Sequence, residues 1–208
     1  MTSKTIFATS RMAVLAAAVT TTTLLGACAP LIIGGAMVGT ALSVTDRRTG
    51  GAQVEDQAIE LKALSRLREA VPAEANVSVT SYNRTVLITG EAPTEAAKAA
   101  AEQAVSRIEN VRATVNELAV MGSTSLSARS NDAILSSKVK AAFVDAKDLQ
   151  ANAIKVVAER GTIFLMGRVT EREANRATEL ARATSGVGKV VKVFEILSEA
   201  DLAALQPR

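Results

Sequence analysis

The chain contains no histidine, no tryptophan and a single cysteine among its 208 residues. Without histidine, the commonest general base and the commonest neutral metal ligand are missing. With one cysteine there is no internal disulfide, so any fold must be held by its own core. No carboxylate pair replaces them: Asp132, Asp145 and Asp148 are near one another in sequence, but they fall on different helix faces or beyond a helix end. The expectation is a non-enzymatic protein that needs no cofactor and no metal. A dominant charge is lacking too, since 24 Lys and Arg stand against 21 Asp and Glu. Global charge therefore predicts no nucleic-acid partner.

What is present begins with that lone cysteine. Lys4 and Arg11 precede an apolar run from Met12 through Val19 to Leu25, the charged start and short apolar middle of a secretory signal. Leu25-Gly26-Ala27-Cys28 follows, an aliphatic residue, two small ones and Cys, which is the pattern of a bacterial lipobox. Cleavage there removes residues 1–27 and leaves Cys28 as the lipidated N-terminus. A lone Cys is usually a small buried hydrophobe, but this one closes a signal-like run. The competing reading is an uncleaved membrane helix, which needs about 20 predominantly apolar residues. Thr20 to Thr23, Pro30, Gly34, Gly35 and Gly39 divide residues 12–42 into shorter pieces. Residues 28–54 then read as a lipidated tether, apolar as far as Leu42, and a linker.

Beyond the linker one pattern runs twice. In the first unit, residues 55–122, Ile59, Leu61, Leu64, Leu67 and Val71 recur at helical spacing until Pro72. Val77 and Val79 alternate with polar residues, Asn83-Arg84 makes a tight turn, and Val86-Leu87-Ile88 forms a second strand up to Gly90. Thr94 caps a second helix to about Ile108, and Val111, Val115, Leu118 and Val120 mark a third strand. The second unit, residues 127–198, repeats the order, with Asp132 read as the helix opening, Arg160-Gly161 as the turn and Gly167 as the glycine. Val77, Val79, Thr85, Val86, Ile88 and Gly90 pair at one constant offset with Ile154, Val156, Thr162, Ile163, Leu165 and Gly167. An unbroken offset through strand, turn, strand and glycine indicates an internal duplication. Residues 199–208 remain as a tail.

The expected fold class is α+β: two tandem αββαβ units, each a three-stranded mixed sheet with two helices on one face. The second strand of each unit is the most continuously apolar, which suits the central position. A unit of about 70 residues buries only around 60% of its unfolded surface, so two would gain by packing together. Gly90 and Gly167 read as positions of positive φ or close helix approach, where the central strand ends.

This doubled pattern, with Ser185-Gly186-Val187 before the last strand, resembles the BON domain, and a lipobox ahead of two such units resembles the DolP class of outer-membrane lipoproteins of Gram-negative bacteria. The stretches that carry the resemblance are Thr45 to Asp56 and, more specifically, Phe164 to Ala174. The resemblance implies a protein anchored in the outer membrane and facing the periplasm. It also implies binding of anionic phospholipid by the second BON domain, support of envelope integrity, and association with division sites and the outer-membrane protein assembly machinery. Ala29 follows Cys28 where the inner-membrane retention signal of enteric lipoproteins has Asp. An alternative is a periplasmic stress or chaperone-type protein similar to OsmY, which acts through protein contacts and has no lipid anchor. Cys28 argues against it.

Charge is unequal between the repeats. From Asp46 to Gly122 eleven acids face nine bases, whereas from Leu126 to Arg208 thirteen bases face ten acids. An anionic bilayer would prefer the second unit. In its first helix Leu135, Val139, Ala142, Phe143 and Ala146 account for a core-facing arc. That leaves Ile134, Lys138, Lys140, Ala141 and Val144 outside it as the candidate phospholipid-binding residues. Family members are expected to have an aromatic residue near Ile134, and Phe143 could supply one only by turning outward. Scattered exposed apolar residues and solvated lysines are ordinary on any surface.

Overall fold

The computed structural model describes residues 46–205, so the signal-like run, Cys28 and the apolar tether lie outside the described residues. The first helix, α1 (Gly50–Ala70), starts earlier than its apolar stripe. Thr49 caps it, accepting a hydrogen bond from the Ala52 N–H at 3.1 Å, so the segment read as linker is partly helix. Ile59, Ala63 and Leu67, four residues apart, supply its buried edge, and Pro72 follows its end.

Strands β1 (Asn76–Tyr82) and β2 (Thr85–Ala92) pair antiparallel with Tyr82 opposite Thr85. The two residues between them, Asn83 and Arg84, have φ of 48° and 65°, the two-residue turn whose twist matches a hairpin. Helix α2 (Glu95–Ser106), capped by Thr94, buries Ala97, Ala101 and Val105. These small residues let it lie close to the sheet. It carries the chain to a strand parallel to β2. That third strand is broken: β3 (Ala113–Asn116) pairs with Thr85 to Ile88, and β4 (Ala119–Val120) with Glu91 and Ala92. The Asn116 side chain makes the break by accepting from the Leu118 N–H and donating to the Lys98 carbonyl.

The second unit repeats this with an unbroken third strand. Helix α3 (Leu126–Asp145) leads through a 3-10 turn at Ala151–Ala153 to β5 (Ile154–Glu159), β6 (Thr162–Thr170), α4 (Glu171–Ala183) and β7 (Lys189–Leu197). β5 pairs antiparallel and β7 parallel with the central β6. The segment read as a tail forms α5 (Glu199–Leu205).

Both glycines sit inside their strands, which run on to Ala92 and Thr170; Gly90 is crowded by the backbone of β1, and Gly167 by the last carbonyl of the 3-10 turn that leads into β5. A Cβ on Gly90 would lie 2.0 Å from the Asn76 carbonyl oxygen, and one on Gly167 would lie 2.5 Å from that of Ala153. Gly90 also has a φ of +112°.

In each unit both helices cover one sheet face. Ile59, Ala63, Ala97, Ala101 and Val105 pack on Val86 and Ile88 in the first; Leu135, Val139, Phe143, Ala174 and Ala177 pack on Ile163 and Leu165 in the second. The bare faces meet each other. Tyr82 and Leu87 pack against Phe164 and Met166, with Val115, Val157, Val191 and Val193 around them. The result is a helix, sheet, sheet, helix stack, the route by which two small units gain a third core. Polar contacts ring that core. Asn83 donates to Glu195, the neighbour of Arg168 across the sheet, and Arg160 donates to the Gly90 carbonyl at 2.7 Å. The start of β2 therefore lies near the end of β6, and the two central strands run in opposite directions.

Candidate functional site

The candidate surface is α3, which begins six residues before Asp132. Ser125 is its cap, accepting from the Ala128 N–H at 3.3 Å. Asp132 lies within the helix and faces inward. Its carboxylate accepts from the Arg160 N–H at 2.8 Å and the Gly161 N–H at 2.9 Å, holding the β5–β6 turn. Asp56 does the same in the first unit, accepting from the Asn83 and Arg84 N–H groups at 2.8 Å each. An aspartate that looks like a helix start is thus a clamp on a turn 28 residues downstream.

Leu135, Val139 and Phe143 are buried along the inner edge of α3. Phe143 is enclosed in the core and offers no ring to an interface. On the outer side Ile134, Ala141 and Val144 form one stripe, which Leu126 extends by two turns. Leu126 is 78% exposed, Ile134 54% and Val144 70%. Leu126 lies outside a helix that opens at Asp132 and inside the one that Ser125 caps; its spacing of eight from Ile134 is the signal that places it on this face.

The two lysines flank the stripe, one on each side. Lys138, with Ile134, lines a groove of about 360 Å³ that Arg160, Gly161 and Gly186 close. Lys140, with Val144, lines a second groove of about 360 Å³ shared with Asp46, Arg48, Tyr82 and Lys155. Among the described residues, no ion pair involves either lysine. Arg129, Lys138 and Lys140 face outward from α3 against one exposed acid, Asp145.

Helix α1 has an outer stripe of similar size, with Val54 67% exposed, Leu61 69% and Leu64 42%. Exposure alone does not separate the two. Nor does exposed charge, since each helix sets three exposed bases against one exposed acid, Lys62, Arg66 and Arg68 against Glu69 on α1; the whole helices differ, with four acids on α1, of which Glu60 is taken by Lys155, and two on α3.

The stretch from Asp46 to Thr49, read as linker, is a built part of the fold. Arg47 makes a two-pronged ion pair with Glu173 at 2.7 and 2.8 Å and donates to the Arg168 carbonyl. Arg168 returns a bond to the Arg47 carbonyl at 3.0 Å. Arg48 bonds Asp46 and Asp56 and lies 4.3 Å from the centre of the Tyr82 ring. Burial works against the Arg48 charge, but its hydrogen bonds to Asp46 and Asp56 outweigh it and raise its pKa. Burial opposes the Asp56 charge too, and the donors Ser81, Arg84, Arg48 and Asn83 hold its carboxyl below the usual range. The Arg47 hydrogen bond holds Glu173 low, against burial. Burial and the Asp46 charge push Tyr82 up to about 12. The two stretches that carry the family resemblance therefore meet: Arg47 of the first grips Arg168 and Glu173 of the second.

The three aspartates do not form an acid–base pair. Asp132 is committed to its turn, Asp145 is exposed at the end of α3, and Asp148 pairs with Arg176 at 2.9 Å. Among the described residues, no group of acids, His or Cys could hold a metal ion, and no helix is long and apolar enough to cross a membrane.

The profile of the BON domain matches residues 55–122 and 131–198. The chain is 37% identical over 179 residues to the outer membrane lipoprotein DolP of Haemophilus influenzae, covering 85% of this chain and 92% of that protein. It is 31% identical over 151 residues to a protein called a 21 kDa hemolysin in Actinobacillus pleuropneumoniae, covering 72% and 78%. A solved structure of CdsD, a structural protein of the type III secretion system of Chlamydia trachomatis, covers 71% of this chain and 97% of its own at 11% identity and a TM-score of 0.29, too low to carry an argument. Two BON repeats of this topology, together with the match along most of a DolP lipoprotein, place the chain in the BON-domain family, among the dual-BON outer-membrane lipoproteins of the DolP class.

Proposed function

We propose that this lipoprotein, anchored through Cys28, binds anionic phospholipid through the outer face of α3 and by that contact supports envelope integrity. The observation that carries the reading is the exposed stripe of Leu126, Ile134, Ala141 and Val144 with Lys138 and Lys140 on either flank, on the unit in which bases outnumber acids. A basic side chain near an anionic bilayer gains about 1 kcal/mol. Partial burial of each large aliphatic adds a share of the roughly 1.5 to 3 kcal/mol available on full burial. The sum suits weak, reversible contact, which becomes useful when a lipid anchor holds the domain at the surface at high effective concentration. α3 adds no aromatic ring to it, since Phe143 is buried.

Co-sedimentation of residues 46–208 with vesicles tests this. Binding is expected to phosphatidylglycerol vesicles and not to phosphatidylcholine, and to fall with salt. Ile134→Ser should weaken it without changing the salt dependence, because it removes apolar area and no charge. Equal binding to neutral vesicles, or none to either, contradicts the proposal.

A further inference from the structure

Among the described residues, α1 and α3 each present an exposed apolar helix face, and the layer order sets the two on opposite outer sides of the stack. A chain tethered by one end can present either, so something must choose. We propose that the Asp46-Arg47-Arg48 arm is an orienting clasp: by tying the incoming chain to the second unit, it turns the α3 face toward the membrane that holds the anchor. This rests on the lipid-contacting role of α3 proposed above.

In sequence the arm belongs to the first unit, because Thr49 caps α1 directly after it. An arm that only preceded α1 would leave from the first unit. Here Arg47 crosses to the second, where its guanidinium takes both Glu173 oxygens and the Arg168 carbonyl, and Arg168 holds the Arg47 carbonyl in return. Backbone and side chain of one residue are thus fixed to the end of β6 and the start of α4. A two-pronged guanidinium–carboxylate pair sets direction as well as contact, which a point charge would not. Arg48 locks the next residue to Asp56 and to the Tyr82 ring. Asp46 then lines the same groove as Lys140 and Val144, at the last turn of α3. The chain therefore enters the described fold beside one end of the proposed lipid face. Glu173 also closes the capping box of α4 with Thr170, so the grip is on a rigid helix start and not on a loop.

The test uses the full lipidated chain in vesicles of phosphatidylethanolamine and phosphatidylglycerol. Fluorophores are placed on single cysteines at Ser137, on the outer face of α3, or Ser65, on that of α1, and quenched by brominated lipid; Cys28 does not compete, because its sulfur is lipidated. In the parent, the Ser137 label should be quenched at least about fivefold more than the Ser65 label. In Arg47→Ala the contrast should fall to within about twofold, the population shift expected when a clasp is released. Arg47→Lys, which keeps the charge but not the fork, should fall between them and serves if Arg47→Ala loses its circular-dichroism melt. An undiminished contrast in folded Arg47→Ala or Arg47→Lys overturns the clasp and leaves the lipid face standing. A parent Ser137 label that lipid does not quench removes the lipid face itself, and the clasp with it.

Discussion

Asp56 and Asp132 grip the hairpin turns of the first and second units with the same pair of hydrogen bonds, while the helices that carry them differ on their outer sides. The interior of the repeat is copied: aspartate on turn, glycine under the neighbouring strand, apolar central strand, two helices on one face. The exterior has diverged. α1 has four acids to three bases and receives the arm through Arg48; α3 has two acids to three bases and flanks its apolar stripe with lysines. The third strand is broken at Glu117-Leu118 in one unit and runs through nine residues in the other. Packing constrains what points inward at every copy, whereas a surface residue is free to change until something binds it. Divergence between repeats is thus a guide to function that either repeat alone would not give.

The strongest way to break the equivalence of the interiors is to cut both central strands. Leu165 and Ile88 occupy matching, fully buried positions, so Leu165→Ala and Ile88→Ala should each cost about 2 to 5 kcal/mol in a denaturant titration. Because Phe164 and Met166 bond the two sheets face to face, both variants should still melt in one transition. Gly90→Ala and Gly167→Ala come next. Each forces a Cβ against a backbone carbonyl, of β1 for Gly90 and of the 3-10 turn before β5 for Gly167, and overpacking of this kind costs about 1 to 3 kcal/mol or more. Gly90 should be the worse of the two, since its backbone is also left-handed. Asp56→Asn and Asp132→Asn both lose one turn bond, about 1 to 2 kcal/mol for a buried donor left unmade. Asp56 should cost more, because Arg48 also loses a partner.

Acid sharpens the contrast further. Asp56, Glu91 and Glu173 all ionise below the ordinary range in the fold. Their stabilisation is present above the unfolded carboxyl pKa values of about 4 and is lost as pH falls through their folded values. Glu159 is raised, by burial and by Glu91, so it works in the opposite sense, destabilising the fold above the ordinary range and relieved on protonation. Thermal midpoints should hold between about pH 7 and 5 and fall below about pH 4. Glu173→Gln can keep the capping box but not the Arg47 pair, so it should lower the midpoint at neutral pH and converge on the parent in acid.

The repeat, the hairpins and the central strands were legible because periodicity and a constant offset mark them directly. Helix starts were not. Asp132 looks like the opening of an apolar stripe, yet its helix begins six residues earlier, at Leu126 behind the Ser125 cap, and α1 likewise begins at Gly50 behind Thr49, well before its stripe. The glycines could be named but not placed, because sequence does not say which backbone crowds a strand. The arm could not be read at all. Its partners Glu173 and Arg168 are more than 120 residues away, and a Gly-, Arg- and Thr-rich stretch has the composition of a linker. On the candidate surface, Ile134, Ala141 and Val144 and the lysines on either side of them could be found from helical spacing, whereas the grooves that Lys138 and Lys140 line needed the neighbouring turns.

The most direct test of the central claim sets the two helices against each other. Lys138→Glu with Lys140→Glu on α3 is compared with Lys62→Glu with Arg66→Glu on α1, by co-sedimentation of residues 46–208 with phosphatidylglycerol vesicles across a salt series. At about 1 kcal/mol per basic residue near the surface, the α3 pair should lower affinity about tenfold or more and flatten its salt dependence, while the α1 pair leaves both nearly unchanged. Loss of binding from the α1 pair with none from the α3 pair would contradict the account and put the lipid surface on the first unit.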